Sequence, residues 1–372
     1  MPVETVTYRA EVVGSMLRPE YLKQARDEHA SGALDAREFK RIEDRAVDEA
    51  IAVQEESGVD VVSDGELRRF GFIGSLIEIV EGIGPAAGAL TEWHRDSGET
   101  EDYQAEFAVL DRLRRVRSLA VEEYVYARSR TDLPVKVTLP SPLMLGYFWS
   151  PEHTSKVYDD VFALIDDGAR ILREEIAELV RLGCPYIQID APELAVWDTG
   201  EEYAARFAEL SGLPVQEMVR RSPQILDALV ADFPDTTFGL HLCRGNNEGR
   251  WQAAGGYERL AKDVFEGTGN YDAFLLEYDD ERAGSFEALA DLPRDKTVVL
   301  GLVTTKASRM ETPEEIRGRI EAAAEHFPLE RLALSTQCGF ASMAPGNPAM
   351  NAELQLAKLR LVTQVARDVW GG

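Results

Sequence analysis

The stretch TTFGLHLCRGN, residues 236–246, carries the two features on which the interpretation of this 372-residue chain rests. Its apolar half is typical of a buried strand, and it follows residues 215–232, whose apolar spacing predicts a helix. It then places His241 and Cys243 two residues apart, so that in a strand both point to the same face. The chain has only five histidines and three cysteines. The pair therefore indicates either a metal site or two side chains that meet by chance in a core.

The order of helix and strand recurs along the chain. Residues 313–326 predict another helix, with Thr312 as N-cap and Pro313 at its first position. Regular alternation implies parallel strands joined by helical crossovers, and eight such strands predict an α/β fold of the (β/α)8 TIM barrel class. The strand-like runs lie near residues 10, 60, 135, 187, 239, 275, 299 and 332.

One barrel is expected to occupy residues 1–372 as a single catalytic domain, because no linker or internal repeat divides the chain. Barrels of this length are common. Residues 71–130 interrupt the alternation between the second and third strands, and they contain a glycine-rich turn, GIGPAAGA, and an acidic stretch, SGETEDY. We expect this excursion to form a lid or cap over one face of the barrel.

Charge and composition narrow the choice of partners. A net charge of −26 disfavours binding to nucleic acid and to anionic lipid. No apolar run reaches the ~18 residues that a membrane span needs, and the N-terminus does not resemble a signal peptide. Three cysteines cannot all pair, which argues against a disulfide framework. We therefore expect a cytoplasmic protein without a membrane partner; whether it forms a homo-oligomer is left open by the sequence.

In a barrel of this class the chemistry lies at the carboxyl ends of the strands, and polar side chains of this chain concentrate there. The candidate metal ligands are His241, Cys243, Glu277 and Cys338, a set of donors that suits tetrahedral zinc. His-x-Cys alone is weak evidence, because a single buried cysteine is more often a small core residue. Glu277 and Cys338 at neighbouring positions favour the metal site. Cys184 precedes its strand and is predicted to be structural.

Three further residues at strand ends are candidates for binding substrate. Glu66 and Asp190 could hold a cationic group such as an α-amino group, and Ser15 could offer a hydroxyl and a backbone N–H to a carboxylate. Alternatively, Ser15 only caps the next segment. Asp64, next to a glycine, is interpreted as a turn residue. A pair of carboxylates for glycoside hydrolysis is conceivable, but it would leave the thiols unexplained.

Six sequence pieces resemble, in order, the cobalamin-independent methionine synthases, and specifically their catalytic C-terminal barrel. The pieces are VVGSMLRP, VVSDGELRR, YIQIDAPEL, GLHLCRGN, LLEYD and LALSTQCGF, and they span nearly the whole chain. The long form of the family has an additional N-terminal barrel, for which this chain has no room. The chain is similar to a short, single-barrel member.

The resemblance implies a zinc ion bound by His241, Cys243, Glu277 and Cys338 that activates the thiol of homocysteine. It also implies that homocysteine is held by Ser15, Glu66 and Asp190. Zinc binding deprotonates a thiol near neutral pH, and only a thiolate is a good nucleophile. The function that follows is transfer of a methyl group to homocysteine to form methionine, with methyl-folate or a methyl-corrinoid as donor.

Two positions depart from the long form of the family. Gln337 precedes Cys338 where the long form has Asp, and Lys306 occupies the position of a catalytic histidine that protonates the departing folate. Lys306 is thus the candidate catalytic residue, although a lysine is a poor acid at pH 7 unless burial lowers its pKa. One alternative is alkyl transfer to another thiol or from another donor, as in the epoxyalkane:coenzyme M transferases. A second alternative is a zinc-binding barrel without catalysis.

Overall fold

The structure, a computed structural model, describes residues 8–197, 201–343 and 346–371, with the backbone alone for residues 201–203. Its strands, in chain order, are β1 (Ala10–Glu11), β2 (Val80–Pro85), β3 (Leu90–His94), β4 (Thr100–Gln104), β5 (Phe107–Arg115), β6 (Lys136–Pro140), β7 (Tyr186–Asp190), β8 (Thr237–Leu242), β9 (Ala273–Glu277), β10 (Thr297–Val303) and β11 (Leu332–Thr336).

Seven of these strands form one parallel sheet in the order β1–β11–β10–β9–β8–β7–β6. Two single parallel bridges close the sheet: Val61 pairs with Glu11 in β1, and Val62 pairs with Val135 beside β6. Val61 and Val62 thus occupy the eighth strand position, near residue 60 as the sequence predicts. The predicted (β/α)8 TIM barrel class is confirmed.

The helices are α1 (Glu20–Ala30), α2 (Ala36–Ser57), α3 (Gly74–Ile77), α4 (Leu119–Arg128), α5 (Val161–Arg181), α6 (Pro192–Trp197), α7 (Glu201–Ser211), α8 (Val215–Val230), α9 (Glu258–Leu260), α10 (Pro313–Ala324) and α11 (Ala352–Trp370). The predicted start of α10 is confirmed: the Thr312 hydroxyl accepts from the Glu315 N–H, and the Glu315 carboxylate accepts from the Thr312 N–H. None of the described helices is long and apolar enough to cross a membrane.

The excursion between the second and third barrel strands has more regular structure than the sequence indicates. Residues 71–130 contain α3, α4 and two antiparallel ribbons, β2 with β5 and β3 with β4. An antiparallel bridge between His94 and Trp251 joins the second ribbon to the loop after β8. The role of this segment as a lid stays a prediction.

Strand register decides which side chains face the inside of the barrel. Leu275, Val299 and Ala333 lie level with one another on β9, β10 and β11 and form a small apolar cluster apart from the main core. The residues on either side of them, such as Phe274 and Leu276, belong to the main core between the sheet and the helices. Because side chains alternate along a strand, this small cluster marks the interior face.

Replacing Thr312 with Ala should lower the free energy of unfolding by about 1 kcal/mol, because an orphan N–H at the start of α10 loses its partner. Urea denaturation of both proteins measures the difference. Glu315→Gln is the matched control, because Gln at this position can still complete the capping box. Equal losses in the two variants would contradict the assignment.

Candidate functional site

The strand register brings the central residues of the site together. His241 in β8 lies level with Leu275 in β9, whose side chain faces the barrel interior, and Asp190 in β7 lies level with His241. Cys243 follows His241 by two residues and Glu277 follows Leu275 by two, so both stand one layer nearer the carboxyl ends of the strands. Parallel pairing therefore places these four predicted site residues on one interior face.

His241, Cys243 and Cys338 form a compact group that could hold a metal ion. All three are buried, and their ligand atoms lie within 4.8 Å of one another. The Cys243 and Cys338 sulfurs are 4.0 Å apart. The Nδ1 atom of His241 lies 3.1 Å from the Leu275 carbonyl, which fixes the ring, while its Nε2 has no hydrogen-bond partner among the described residues. A buried imidazole nitrogen held in this way is poised to act as a ligand.

The pKa values of the two thiols in the group shift in opposite directions. Hydrogen bonding with Cys243 lowers the pKa of Cys338 against the effect of burial, and His241 lowers it further. The same contact raises the pKa of Cys243. The first proton thus leaves the pair more easily than it leaves an isolated buried thiol, and a thiolate is the form of cysteine that binds metals.

Glu277, the fourth predicted ligand, is bound to other groups. Its Oε1 accepts from the Lys306 ammonium at 2.5 Å, and its Oε2 accepts from the Arg244 N–H at 2.8 Å. Burial acts against the charged form of Lys306, but the carboxylates of Glu277 and Asp279 outweigh it and raise the pKa of Lys306. A raised pKa makes Lys306 a weaker acid, and in this structure it is the counter-ion of Glu277. Its catalytic role stays a prediction.

A second buried carboxylate, Asp279, also interacts with the Lys306 ammonium by charge. It is 2% exposed, and burial and the Glu277 charge raise its pKa, while Lys306 and the Thr304 side chain act in the opposite direction. Lys306 therefore interacts with two carboxylates by charge and hydrogen-bonds to one of them. If Glu277 moved to a metal ion, Asp279 would be the remaining partner for the ammonium.

Glu66 and Asp190 are buried carboxylates with free acceptor capacity. One Glu66 oxygen accepts from the Thr138 hydroxyl at 2.8 Å, and the other has no partner in the described part of the chain. Asp190 accepts from the Gln188 amide at 2.6 Å. Burial raises the pKa of Glu66, and it raises the pKa of Asp190 to about 7. A cation placed between the two carboxylates would reverse this cost.

Ser15 lies against the loop that carries Cys338. Its hydroxyl accepts from the Ala341 N–H at 3.3 Å, and its carbonyl accepts from the Phe340 N–H at 2.8 Å. Beside it, Gly14 lets the chain pass Glu66, because a Cβ there would come within 2.4 Å of Oε1. Ser15 thus joins the first strand to the last and leaves its side chain at the edge of the site.

One cavity of about 320 Å³ unites most of the predicted residues. Ser15, Glu66, Asp190, His241, Cys243 and Cys338 line it, whereas Glu277 and Lys306 are not among the lining residues. The rest of the wall is mostly apolar, and much of it comes from residues 70–107. Glu66 and Glu248, the two non-glycine residues with positive φ in the described chain, both lie on this wall, a strained conformation that concentrates at functional sites.

Sequence reasoning missed the residues that hold the carboxylates in place. Arg69 donates to the Thr138 hydroxyl and carbonyl while it pairs with Glu123, and so it fixes the hydroxyl that binds Glu66. Gln188 could have been found, because it lies two residues before Asp190 on the same strand face. The contact of Arg69 joins distant segments and has no local signal.

Comparisons with known proteins show the family to which the chain belongs and agree with its fold. A family model described as "Cobalamin-independent synthase, Catalytic domain" matches residues 9–367. The uncharacterized protein YxjH of Bacillus subtilis (strain 168) is 36% identical over 369 residues, which are 98% of this chain and 95% of that protein. Methionine synthase of Sulfurisphaera tokodaii is 23% identical, over 93% of this chain and 90% of its own length. The structure of a B12-independent methionine synthase from Shewanella sp. W3-18-1 superposes with a TM-score of 0.75 at 20% identity, with 98% of each chain covered.

Replacing Lys306 with Met should destabilise the metal-free protein by about 3–5 kcal/mol, because Glu277 then keeps a buried charge without its partner. Added zinc should stabilise the variant more than the wild type, since the ion would supply the missing positive charge and no longer compete with the ammonium. Thermal unfolding with and without zinc measures both effects.

The matched control is Lys136→Met, which breaks another buried ion pair, Lys136 with Glu11 at 2.6 Å, near the opposite end of the barrel. It should destabilise the protein equally with and without zinc. If zinc raised the unfolding temperature of wild type and Lys306→Met by the same amount, Glu277 would not be a zinc ligand that releases Lys306 when the metal binds.

Glu193 in α6 should make stability fall as the pH rises. Burial raises its pKa to about 8, although the Ser141 side chain acts in the opposite direction. A raised pKa means that its contribution is complete below the unfolded pKa and is lost as the pH rises to about 8. Relative to wild type, metal-free Glu193→Gln should gain up to about 1.4 kcal/mol per pH unit between pH 5 and 8 in urea titrations. The exposed Glu209→Gln serves as control; parallel pH profiles for all three proteins would refute the assignment.

Proposed function

Because the chain belongs to the cobalamin-independent synthase family, we propose that it is a zinc-dependent S-methyltransferase that transfers a methyl group to homocysteine and forms methionine. One observation carries the proposal: a His-Cys-Cys group opens into the same cavity as two buried carboxylates. The first group can bind a thiol and the second an ammonium group, and a thiol amino acid carries both.

The three ligands fit zinc in chemistry and in spacing. Two thiolates bound to one tetrahedral zinc at about 2.3 Å are about 3.8 Å apart, close to the 4.0 Å between Cys243 and Cys338. The unpartnered Nε2 of His241 faces the same group. Zinc bound there would supply a Lewis acid that keeps the substrate thiol deprotonated near neutral pH.

Glu277 completes the proposed ligand set by exchanging one partner. Its carboxylate would leave the Lys306 ammonium, which Asp279 can then neutralise, while the Arg244 N–H continues to orient the other oxygen. The buried positive charge thus keeps a partner in both states. In this account Lys306 is a positioning residue for Glu277, and a role for it as a proton donor stays a prediction.

The substrate residues act by charge and by position. Glu66 and Asp190 would accept the α-ammonium group, which offsets the cost of their burial, and Ser15 would bind the carboxylate at the edge of the loop with Cys338. Fixing both ends of the amino acid leaves its thiol directed at His241, Cys243 and Cys338. The apolar wall excludes water, which strengthens each of these interactions.

The two buried carboxylates of the cavity, Glu66 and Asp190, separate this proposal from its alternatives. A thiol that carries a sulfonate, such as coenzyme M, would place an anion beside Glu66 and Asp190. A purely structural zinc site needs no substrate-binding groups around it, whereas His241, Cys243 and Cys338 line a cavity together with two buried carboxylates. The cytoplasmic location, the identity of the donor and a homo-oligomeric state stay predictions.

Zinc-loaded protein should contain about one zinc per chain and should bind homocysteine with micromolar to millimolar affinity. Cys243→Ser should lose at least tenfold in zinc affinity and form no methionine, because one of the ligands is gone. Metal analysis after dialysis and isothermal titration with homocysteine measure these effects.

Cys184→Ser is the matched control, because Cys184 is as buried as Cys243 but lies outside the site. Burial raises the pKa of the Cys184 thiol to about 12, so this thiol stays protonated. It should retain zinc and homocysteine binding. Full zinc retention in Cys243→Ser, or tighter binding of homocysteine to the metal-free protein than to the zinc form, would contradict the proposal.

A further inference from the structure

The charges around the cavity are strongly one-sided. Four carboxylates line it: Glu66 and Asp190 deep in the site, and Glu106 and Glu248 nearer the surface. Glu66 is 1% exposed and has an oxygen without a partner in the described chain. Homocysteine would neutralise one negative charge at the inner pair. Glu106 and Glu248 would then face the second substrate, the methyl donor.

Among the described residues that line it, the cavity offers no free Lys or Arg side chain to an anionic ligand. Arg250 carries the one guanidinium or ammonium group among the described lining residues. Its guanidinium pairs with Glu101 and, at 3.4 Å, with Glu248, and its side chain is 12% exposed. The residues outside the described ranges add no Lys or Arg to this count, because they are MPVETVT, DTG, AP and the final Gly.

Aromatic side chains form the outer part of the wall. Phe70, Tyr103 and Phe107 all line the cavity and are 49%, 45% and 46% exposed, and we call these three the aromatic rim. Large aromatic side chains exposed together usually mark a binding surface. Trp93 and Tyr147 continue the aromatic wall inward. An aromatic wall beside carboxylates is the environment that proteins use to bind onium cations, whose charge the ring faces attract.

From this cavity we infer that the methyl donor is a methyl onium compound, either a sulfonium or a quaternary ammonium, bound between the aromatic rim and Glu106. The inference rests on the proposed transfer to homocysteine and names the class of its second substrate. A polyglutamylated folate carries several carboxylates, which would have to pass Glu106 and Glu248 without a free cation to bind them. A volume of about 320 Å³ also lies at the small end of ligand cavities.

The reaction balances without a further participant. The homocysteine thiolate attacks the methyl carbon, a carbon–sulfur bond forms, and the bond from the methyl group to the onium atom breaks. Its electron pair stays on that atom, which leaves as a neutral sulfide or tertiary amine. This leaving group needs no proton, in keeping with the position of Lys306, which is ion-paired to Glu277 and does not line the cavity.

The test offers one zinc-loaded sample homocysteine with each of four methyl-labelled donors. S-methylmethionine represents the sulfonium compounds, glycine betaine the quaternary ammonium compounds, 5-methyltetrahydrofolate triglutamate the folates and methylcobalamin the corrinoids. Mass spectrometry follows labelled methionine. One of the two onium donors should give a kcat/KM at least tenfold above the folate and the corrinoid, and the faster of the two identifies the source.

A charge reversal at the rim sharpens the test. Glu106→Lys should lower kcat/KM for the onium donor about tenfold at low salt and raise the binding of the folate, because a like charge now faces the cation. Asp295→Lys, an exposed residue near the amino end of β10, makes the same change of net charge away from the cavity and should alter neither. An unchanged kcat/KM for the onium donor in Glu106→Lys, or an equal loss in Asp295→Lys, would overturn the assigned role of Glu106.

Binding of homocysteine is measured on a second portion of the same protein that is loaded with cobalt instead of zinc. The visible absorption of the bound cobalt is followed as homocysteine is added. Suppose that homocysteine changes the spectrum, but that only folate or methylcobalamin, or no donor at all, gives methionine. The onium donor is then overturned, while binding of the thiol to the metal stands. If homocysteine leaves the spectrum unchanged, the proposed function fails, and the donor assignment fails with it.

Discussion

The in-register pairing of β7, β8 and β9 is the constraint on which this site depends. It sets Asp190 level with His241 and His241 level with Leu275, and so it turns three chain segments toward one interior face. A shift of one residue in either pair would rotate these side chains into the layer between sheet and helices. Apolar packing of the strands and the chemistry of the cavity are therefore fixed by the same hydrogen bonds.

The pairing of buried charges is a second constraint on the site. The barrel buries many ionisable groups, and most have a partner, as Arg69 has in Glu123 and Lys306 has in Glu277. At the cavity the balance is incomplete: one Glu66 oxygen has no hydrogen-bond partner in the described chain, and Asp190 accepts from the neutral Gln188 amide. Burying a charge without a partner is costly, so such groups are kept where a ligand completes them.

The barrel class and most of the interior face could be predicted from the sequence, because both follow local rules. Alternation of helix and strand gave the eight strand positions, and the two-residue spacing of His241 and Cys243 gave their common orientation. The structure brings Cys338 to them but leaves Glu277 on Lys306, a competition between two long-range partners that no local pattern encodes. For the same reason the two ribbons within residues 71–130 and the aromatic rim could not be foreseen: they depend on contacts across the mouth of the barrel.

The central claim is that the metal group has room for a substrate thiol, and X-ray absorption at the zinc edge tests it most directly. In this account His241, Glu277, Cys243 and Cys338 supply two sulfurs to the ion, and added homocysteine should raise the count to three while one nitrogen or oxygen ligand is lost or moves away. Methionine, whose sulfur carries no negative charge, should leave the count at two. A sulfur count that stays at two with saturating homocysteine would contradict the account.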